Sequence, residues 1–438
     1  MFCHYNEAEI FENDPALIFF STFAIRMFRK KLYTSSSSPN VAALRRLLRS
    51  KLTLAAIFVI ALAMMVAILG YLISPDNSPF ANEQYIEISA QKPGFKAYML
   101  KYRKNETVHA QSVMKTMIYG KRSNYKLIPF NAYRFDNDQI VLAEFDPFPS
   151  ENPREHRYRL ADVVFALAPN APYVIGPDSA RFTTLEGTSF TYAIAHLQQV
   201  VSKTHFITKR FPLGSDRYGR DVLSQLMIGT RVSLSVGLIA VLISLLAGIF
   251  IGALGGYFRG WIDTFVMWLI NVVWSIPTLL LVIAITFALG KGFWQVFVAV
   301  GLTMWVEVAR VVRGQILSVR EKEYVEAARA LGFGHARIII RHILPNVMGP
   351  VIVISAANFA SAILIEAGLS FLGLGVQPPM PSWGTMIKEN YAYIILDKAY
   401  LAILPGLAIM IMVLAFMIIG NGLRDALDIK TIEKPGRL

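Results

Sequence analysis

The chain has 438 residues, 54% of them hydrophobic and only 17% charged, with 43 lysines and arginines against 30 acids for a formal net charge of +13. So few charges combined with a mean hydropathy of +0.45 point away from a soluble globular protein and towards a membrane protein. The basic residues cluster beside apolar runs and form no aromatic-lined stripe, which argues against a nucleic-acid surface.

In chain order, the single cysteine, Cys3, excludes an internal disulfide framework and a cysteine-cage metal site. Residues 15–28, PALIFFSTFAIRMF, are apolar but too short to span a bilayer. An interfacial helix, a loosely ordered tail and a start placed too far upstream are three readings of that segment. The serine run from Ser35 to Ser38 reads as a linker. In NVAALRRLLRSK, Leu44, Leu47 and Leu48 oppose Arg45, Arg46 and Arg49, the pattern of a helix lying on a membrane surface.

A helix needs about 20 apolar residues to cross the hydrocarbon core with its backbone groups paired internally. Six runs meet that length: 52–73, 232–254, 264–289 with Pro277, 292–312 with Glu307 and Arg310 near its end, 347–372 with Pro350 and Glu366, and 399–420 with Pro405. The first lacks a small-residue cleavage site and is expected to be an uncleaved anchor. Arg26, Arg29, Lys30, Lys31, Arg45, Arg46, Arg49 and Lys51 precede it, so the positive-inside rule predicts a cytoplasmic N-terminus. Alternation then puts Arg259, the 313–346 connection and the tail with Arg424 and Lys430 inside, and the connections at Lys291 and 373–398 outside.

Residues 74–231 fall outside and are expected to form a small mixed domain, with strand-like runs at 85–90 (YIEISA) and 138–145 (DQIVLAEF) and a turn-rich stretch at 145–156. His109, His156, His196 and His205 are scattered without metal-ligand spacing. Asp216 and Asp221, either side of Gly219, are expected to cap a tight turn and the helix after it.

Within the spans, Gly248, Gly252 and Gly256 recur at four-residue spacing and predict close packing against a neighbouring helix. Pro277 and Pro405 predict bends. Glu307 is expected to pair with Arg310 or reach the interface, which leaves Glu366 as the ionisable candidate for the translocation pathway.

The connection EYVEAARALGFGHARIIIRHILPN, residues 323–346, has a helix, glycine turn, helix pattern. Ser318 and Glu321 suggest a capping box, Tyr324, Ala327, Ala328 and Leu331 share one helical face, and Gly332 suits a left-handed helix end. A second short helix is expected from His335, with Pro345 introducing the next span. Periodicity alone fits two roles: a docking surface for another protein, or an amphipathic loop on lipid headgroups.

Glu326-Ala327-Ala328, then Gly332, then Leu344-Pro345 resemble the EAA loop of binding-protein-dependent ABC importer permeases. LGSDRYGRDVLSQLMIGTRVSLSVG (213–237), EAGLSFLGLGVQPPMPSWG (366–384) and GNGLRDALD (420–428) are similar to segments of the C-type permease subunit of dipeptide, oligopeptide and nickel importers. Departures are His342, where the family often has an aliphatic residue, Asn421 in place of an acid, and the long insertion.

The resemblance implies an all-α polytopic membrane protein with six transmembrane helices and the type I ABC importer permease fold, enlarged by a mixed extracytoplasmic insertion between the first two. Its parts would be a basic cytoplasmic segment (1–51), the first span (52–73), the insertion (74–231), a five-span core (232–424) and a cytoplasmic tail (425–438). Glu326, Ala327, Ala328, Gly332, Leu344 and Pro345 would couple to an ATPase. Implied partners are a homologous permease subunit, two cytoplasmic ATPase subunits, an extracytoplasmic substrate-binding protein and inner-membrane lipid. The chain lacks a GxxxxGK P-loop and a catalytic set, so it is read as no enzyme, with no metal site or cofactor of its own and with ATP and Mg on the partner ATPases. Di- or oligopeptide cargo is expected. The alternatives are nickel or another small solute, or a secondary transporter or channel.

Overall fold

The computed structural model describes residues 39–106, 111–147, 153–169, 171–290 and 292–427. The 15–28 segment, the serine linker, Cys3, His109, Lys291 and the tail beyond 427 lie outside them. Helix α1 (Pro39–Arg49) meets α2 (Lys51–Ile73) at Ser50, whose Oγ accepts the Thr53 backbone N–H at 3.3 Å. That bond satisfies one of the amide groups left unpaired at a helix start.

The insertion folds into β1 (Phe95–Arg103), α3 (Val113–Tyr119), β2 (Tyr125–Asp136), β3 (Gln139–Glu144), β4 (Glu155–Arg159), α4 (Leu160–Val164), β5 (Val174–Ile175), β6 (Ser179–Thr183), β7 (Ser189–Ala193), α5 (Ile194–Val200) and β8 (Phe206–Phe211). One antiparallel sheet has the order β4-β3-β2-β1-β8, and a smaller one β5-β6-β7. Alternating residues of β1 to β3 supply Leu100, Phe130, Ile140 and Leu142 to a core that Leu160, Phe182, Leu197 and Val201 complete from α4, β6, α5 and the turn after it. β3 forms where the sequence predicts a strand. The run 85–90 does not: Ile86–Ile88 is a short 3₁₀ turn. Tyr85 N–H donates to Tyr218 O at 3.0 Å and Ala90 N–H to Asp216 O at 2.8 Å, so its backbone is bound to the loop before the next helix.

That helix, α6 (Val222–Phe258), is 37 residues long and starts about three turns before the apolar run at 232. Asp221 Oδ2 caps it by accepting from Ser224 N at 2.8 Å. Its early polar groups are used by the insertion: Ser224 Oγ accepts from Asp76 N at 2.9 Å, and Gln225 Nε2 donates to Phe80 O at 3.1 Å. The predicted turn also forms. Asp216 Oδ1 accepts from Tyr218 N and Arg220 N, both at 2.9 Å, around Gly219 at φ +73°.

After α6 come α7 (Gly260–Trp274) and α8 (Thr278–Leu289), α9 (Phe293–Val319), α10 (Glu323–Ala330), α11 (His335–Phe371), α12 (Trp383–Asn390) and α13 (Tyr400–Leu427). Among the described residues, five helices, α2, α6, α9, α11 and α13, are long and apolar enough to cross a membrane, and α7 with α8 makes a pair bent by 91°. The run 264–289 is therefore a broken helix. Pro277, at the N-cap of α8, has no N–H for the preceding turn and its ring crowds the carbonyl four residues back. Pro405, by contrast, lies inside α13, which continues from Tyr400 to Leu427.

Candidate functional site

The connection between α9 and α11 is the element that the sequence singles out. At 8 residues, α10 is too short to persist by its own hydrogen bonds. It is held by burial: Val325 and Ala328 pack with Ile316, Ile338, Ile343 and Val347. Glu323 and Glu326 sit in its first turn and Arg329 in its last, each at the end of the helix dipole that favours its charge.

Its C-terminus closes as the glycine predicts. Gly332 N–H donates to Arg329 O at 2.9 Å and Phe333 N–H to Ala328 O at 3.1 Å, with Gly332 at φ +77°, and Phe333 packs back on the same cluster. This paired arrangement uses up carbonyls that a helix end would otherwise leave unsatisfied.

Three expectations need correcting. Ser318 lies inside α9, which runs to Val319, and α10 starts after Lys322 without a side-chain cap, so no Ser318–Glu321 capping box forms. The four residues assigned to one face divide: Ala328 is buried beside Val325, while Tyr324, Ala327 and Leu331 are exposed, because α10 must spend part of that face on its anchor. Finally, the helix from His335 is not short. It runs through a π turn, Ile338–Ile343, directly into the span, with Leu344 half-buried and Pro345 exposed within it.

A network that sequence reasoning missed ties this connection to the end of α6. Tyr257 Oη and His335 Nδ1 are hydrogen-bonded at 2.9 Å, Arg320 Nη1 donates to the Tyr257 carbonyl, and the Arg329 guanidinium lies 5.5 Å from the Tyr257 ring centre. Arg259 pairs with Glu321 and holds that carboxyl below the usual carboxylate range. The available signal was the aromatic-basic sequence YFR at 257–259, which the charge rule puts on the same side as 313–346. Beyond Gly332, His342 stacks on Phe333 at 5.8 Å, so the residue that departs from the resemblance has a local packing partner.

Gly248, Gly252 and Gly256 face α9. A Cβ there would lie 2.5 Å from Val308 Cβ, 2.5 Å from the Ala309 carbonyl oxygen and 2.9 Å from the Arg313 carbonyl oxygen, respectively. The stripe is where the two backbones come closest. Beside it, Asp263 of α7 holds Arg313 through two contacts, Nε to Oδ1 at 2.5 Å and Nη2 to Oδ2 at 2.7 Å.

Glu366, expected on the pathway, is fully enclosed. Ser370 Oγ donates to its Oε1 at 2.7 Å, Ser233 Oγ approaches Oε2 at 3.5 Å, and Ser382 Oγ reaches Ser370 Oγ at 3.3 Å. The carboxyl group thus joins α6, α11 and the start of α12. Glu307 makes no ion pair with Arg310 among the described residues. Arg310 instead lies over the Trp274 ring, 3.5 Å from its centre.

Residues 244–433 match the family described as binding-protein-dependent transport system inner membrane component. The match begins within α6, so the insertion lies outside it. The chain is 42% identical over 218 residues to the glutathione transport system permease protein GsiD of Pectobacterium atrosepticum, covering 50% of this chain and 72% of that protein. It is 43% identical over 222 residues to the di/tripeptide transport system permease protein DppC of Pseudomonas aeruginosa, covering 50% and 73%. Among solved structures, an inward-facing form of the MetNI methionine ABC transporter aligns at 19% identity and a TM-score of 0.39, over 46% of this chain and 96% of that one. With more than two thirds of such relatives covered at this identity, the chain belongs to the family of binding-protein-dependent transport system inner membrane components.

Proposed function

We propose that this chain is one half of the membrane channel of an ABC importer for short peptides, coupled to its ATPases through α10 and the start of α11. As a member of its family it is a multi-pass inner-membrane permease component and not itself the ATPase, and the family works with ATPase and binding-protein partners. The proposed layout has six spans, counting α7 and α8 as one, with both termini and the 313–346 connection cytoplasmic. Residues 1–51 and 425–438 are then cytoplasmic, 52–73 the first span, 74–231 the extracytoplasmic insertion, and 232–424 the core. A homologous permease completes the pathway, two ATPase subunits dock below, and an extracytoplasmic receptor delivers cargo.

The observation that carries this reading is the division of α10. Val325 and Ala328 hold it to the bundle, while Tyr324, Ala327 and Leu331 remain exposed, a tyrosine and a leucine flanking a small alanine on a surface open to a partner. A partner that pushes on that surface pushes on α11 as well, because Val325 and Ala328 pack on Ile338, Ile343 and Val347 of α11, which runs unbroken from His335 to Phe371. In this scheme Glu326, Ala327, Ala328 and Gly332 form and support the docking element, Leu344 and Pro345 carry it into the span, and Glu366 braces α6 against α11. Gly248, Gly252 and Gly256 keep α6 and α9 moving as one body. Alternating access follows when ATPase closure displaces α10 and the attached spans.

Peptide cargo draws on the relatives: glutathione and di- or tripeptides share amide-linked amino acids. The test is co-purification of the chain with its ATPase subunits from detergent, together with ATP-dependent uptake of a dipeptide in proteoliposomes. Ala327→Glu is expected to lose both ATPase retention and uptake. Retention and uptake at the unmodified level would overturn the docking assignment.

A further inference from the structure

The break between α7 and α8 opens a cavity of about 320 Å³ against α9 and α11. Its walls include Trp274, Thr278, Thr303, Met304 and Ser361, and its only ionisable lining residue among those described is Glu307. Broken helix at membrane depth is tolerated where it is buried in protein or lines a wet cavity. An ionisable side chain inside a span is costly unless it has a partner or faces such a space. Both features coincide here, and neither is explained by the coupling element or the glycine stripe.

The carboxylate of Glu307 is exposed and has no ion pair or hydrogen bond among the described residues. The nearest cation in sequence, Arg310 one turn on, makes no ion pair with it among the described residues and lies over the Trp274 ring. The charge therefore faces an open, largely apolar cavity whose lining also offers three hydroxyl groups, from Thr278, Thr303 and Ser361. An anion so arranged attracts a cation that donates several hydrogen bonds, which a primary ammonium does. The volume is at the small end of ligand pockets, which run from about 300 to 1,000 Å³. It suits one end of a short peptide.

We propose that the cavity is a binding site for a primary ammonium group, with Glu307 as its counter-charge. On the peptide-importer reading, on which only the identity of the ligand rests, that group is the free amino terminus of the cargo. The hydroxyls orient the ammonium, Trp274 walls it from lipid, and the apolar floor accepts the first side chain without regard to its identity. A carboxylate that reads the amino terminus and a floor that ignores the side chain suit a transporter that accepts many peptide sequences.

The experiment uses the assembled transporter in vesicles of phosphatidylcholine and phosphatidylglycerol, which carry no primary amine. With Cys3→Ser removing the native thiol, Ser361→Cys places one in the cavity, and Thr278→Cys provides a second position should the first fail to assemble. Cationic 2-aminoethyl methanethiosulfonate is expected to react about tenfold faster than the anionic 2-sulfonatoethyl reagent, relative to a free thiol, and Glu307→Gln to bring the ratio near one. A ratio unaffected by Glu307→Gln overturns the site. In uptake, Glu307→Gln is expected to lower dialanine transport about tenfold while N-acetyl-dialanine, whose amine is blocked, changes less than about twofold. Equal losses for both peptides, or none, overturn the assignment to the cargo's amino terminus. If the unmodified transporter imports neither peptide and the thiol still prefers the cation, the ammonium site stands and the peptide reading falls.

Discussion

Arg220 lies 2.6 Å from Asp216 across the turn that starts α6, and the same guanidinium also meets Glu389 near the end of α12. Arg220 and Asp216 are buried, and the Glu389 side chain is 15% exposed. One cation therefore joins the insertion boundary, the head of α6 and the short helix that follows α11. Removing it would leave two carboxylates facing each other away from solvent, a costly arrangement because neither can be rehydrated without opening the contact.

Arg220→Met is accordingly expected to destabilise the chain by about 3–5 kcal/mol, the range for breaking an enclosed ion pair from one side. Thermal unfolding of the purified protein in detergent measures it. A melting temperature within the scatter of surface controls would mean that the carboxylates find water and that the tie is weak.

The glycine stripe makes a prediction with a built-in control. Gly252→Val puts a branched side chain where even a Cβ would be 2.5 Å from the Ala309 carbonyl oxygen. Overpacking of this kind costs about 1–3 kcal/mol, and more where the obstacle is backbone. Gly406, on α13, has nothing within 4 Å of a built Cβ, so Gly406→Ala should be neutral or stabilise by up to about 1 kcal/mol through helix propensity. If both variants melt alike, α6 and α9 are not locked at the stripe.

These contrasts show which parts of the molecule are legible from sequence. Long apolar runs become helices because membrane backbone must pair locally, so α2, α6, α9, α11 and α13 stand where hydropathy put them. Asp221 and Gly332 act within a few residues of themselves, and their cap and turn were readable for that reason. What failed depends on distant partners. The run at 85–90 has strand composition, yet Tyr218 and Asp216, more than a hundred residues on, take its backbone hydrogen bonds. β1 pairs with β8 as well as with β2, and nothing local announces that Leu100 will lie opposite Phe206. Ser318 offered a cap, but continuing α9 to Val319 used the same backbone. The enclosure of Glu366 required Ser233, Ser370 and Ser382 to converge from separate segments.

Because Ala327 is exposed while its neighbour Ala328 is buried, they separate docking from folding. Ala327→Glu adds a charge on an exposed surface and is expected to leave the melting temperature unchanged while abolishing ATPase retention. Ala328→Glu forces a charge among Val325, Ile338 and Ile343 and should cost at least about 2 kcal/mol of stability. Parallel melting curves and pull-downs on the two variants test this. Equal thermal destabilisation would show that α10 does not keep this orientation.

The insertion should carry its own acid sensitivity through His205. The ring is buried in the turn just before β8, with Nδ1 2.9 Å from Thr204 Oγ1, Nε2 without a hydrogen-bond partner among the described residues, and the Tyr125 ring 6.1 Å away edge-on. Burial lowers its pKa below the ordinary value of about 6.5, and the charge of Lys101 acts in the same direction. The unfolded chain therefore takes up a proton that the folded ring resists. Stability from this group is complete above about pH 6.5 and is lost as pH falls from there through the lower folded value, at no more than about 1.4 kcal/mol per pH unit. His205→Gln removes the titration. Melting temperatures from pH 7.5 to 5.0 should fall more steeply for the unmodified chain than for the variant, whereas identical slopes would show that His205 titrates normally and that the acid response comes from other groups.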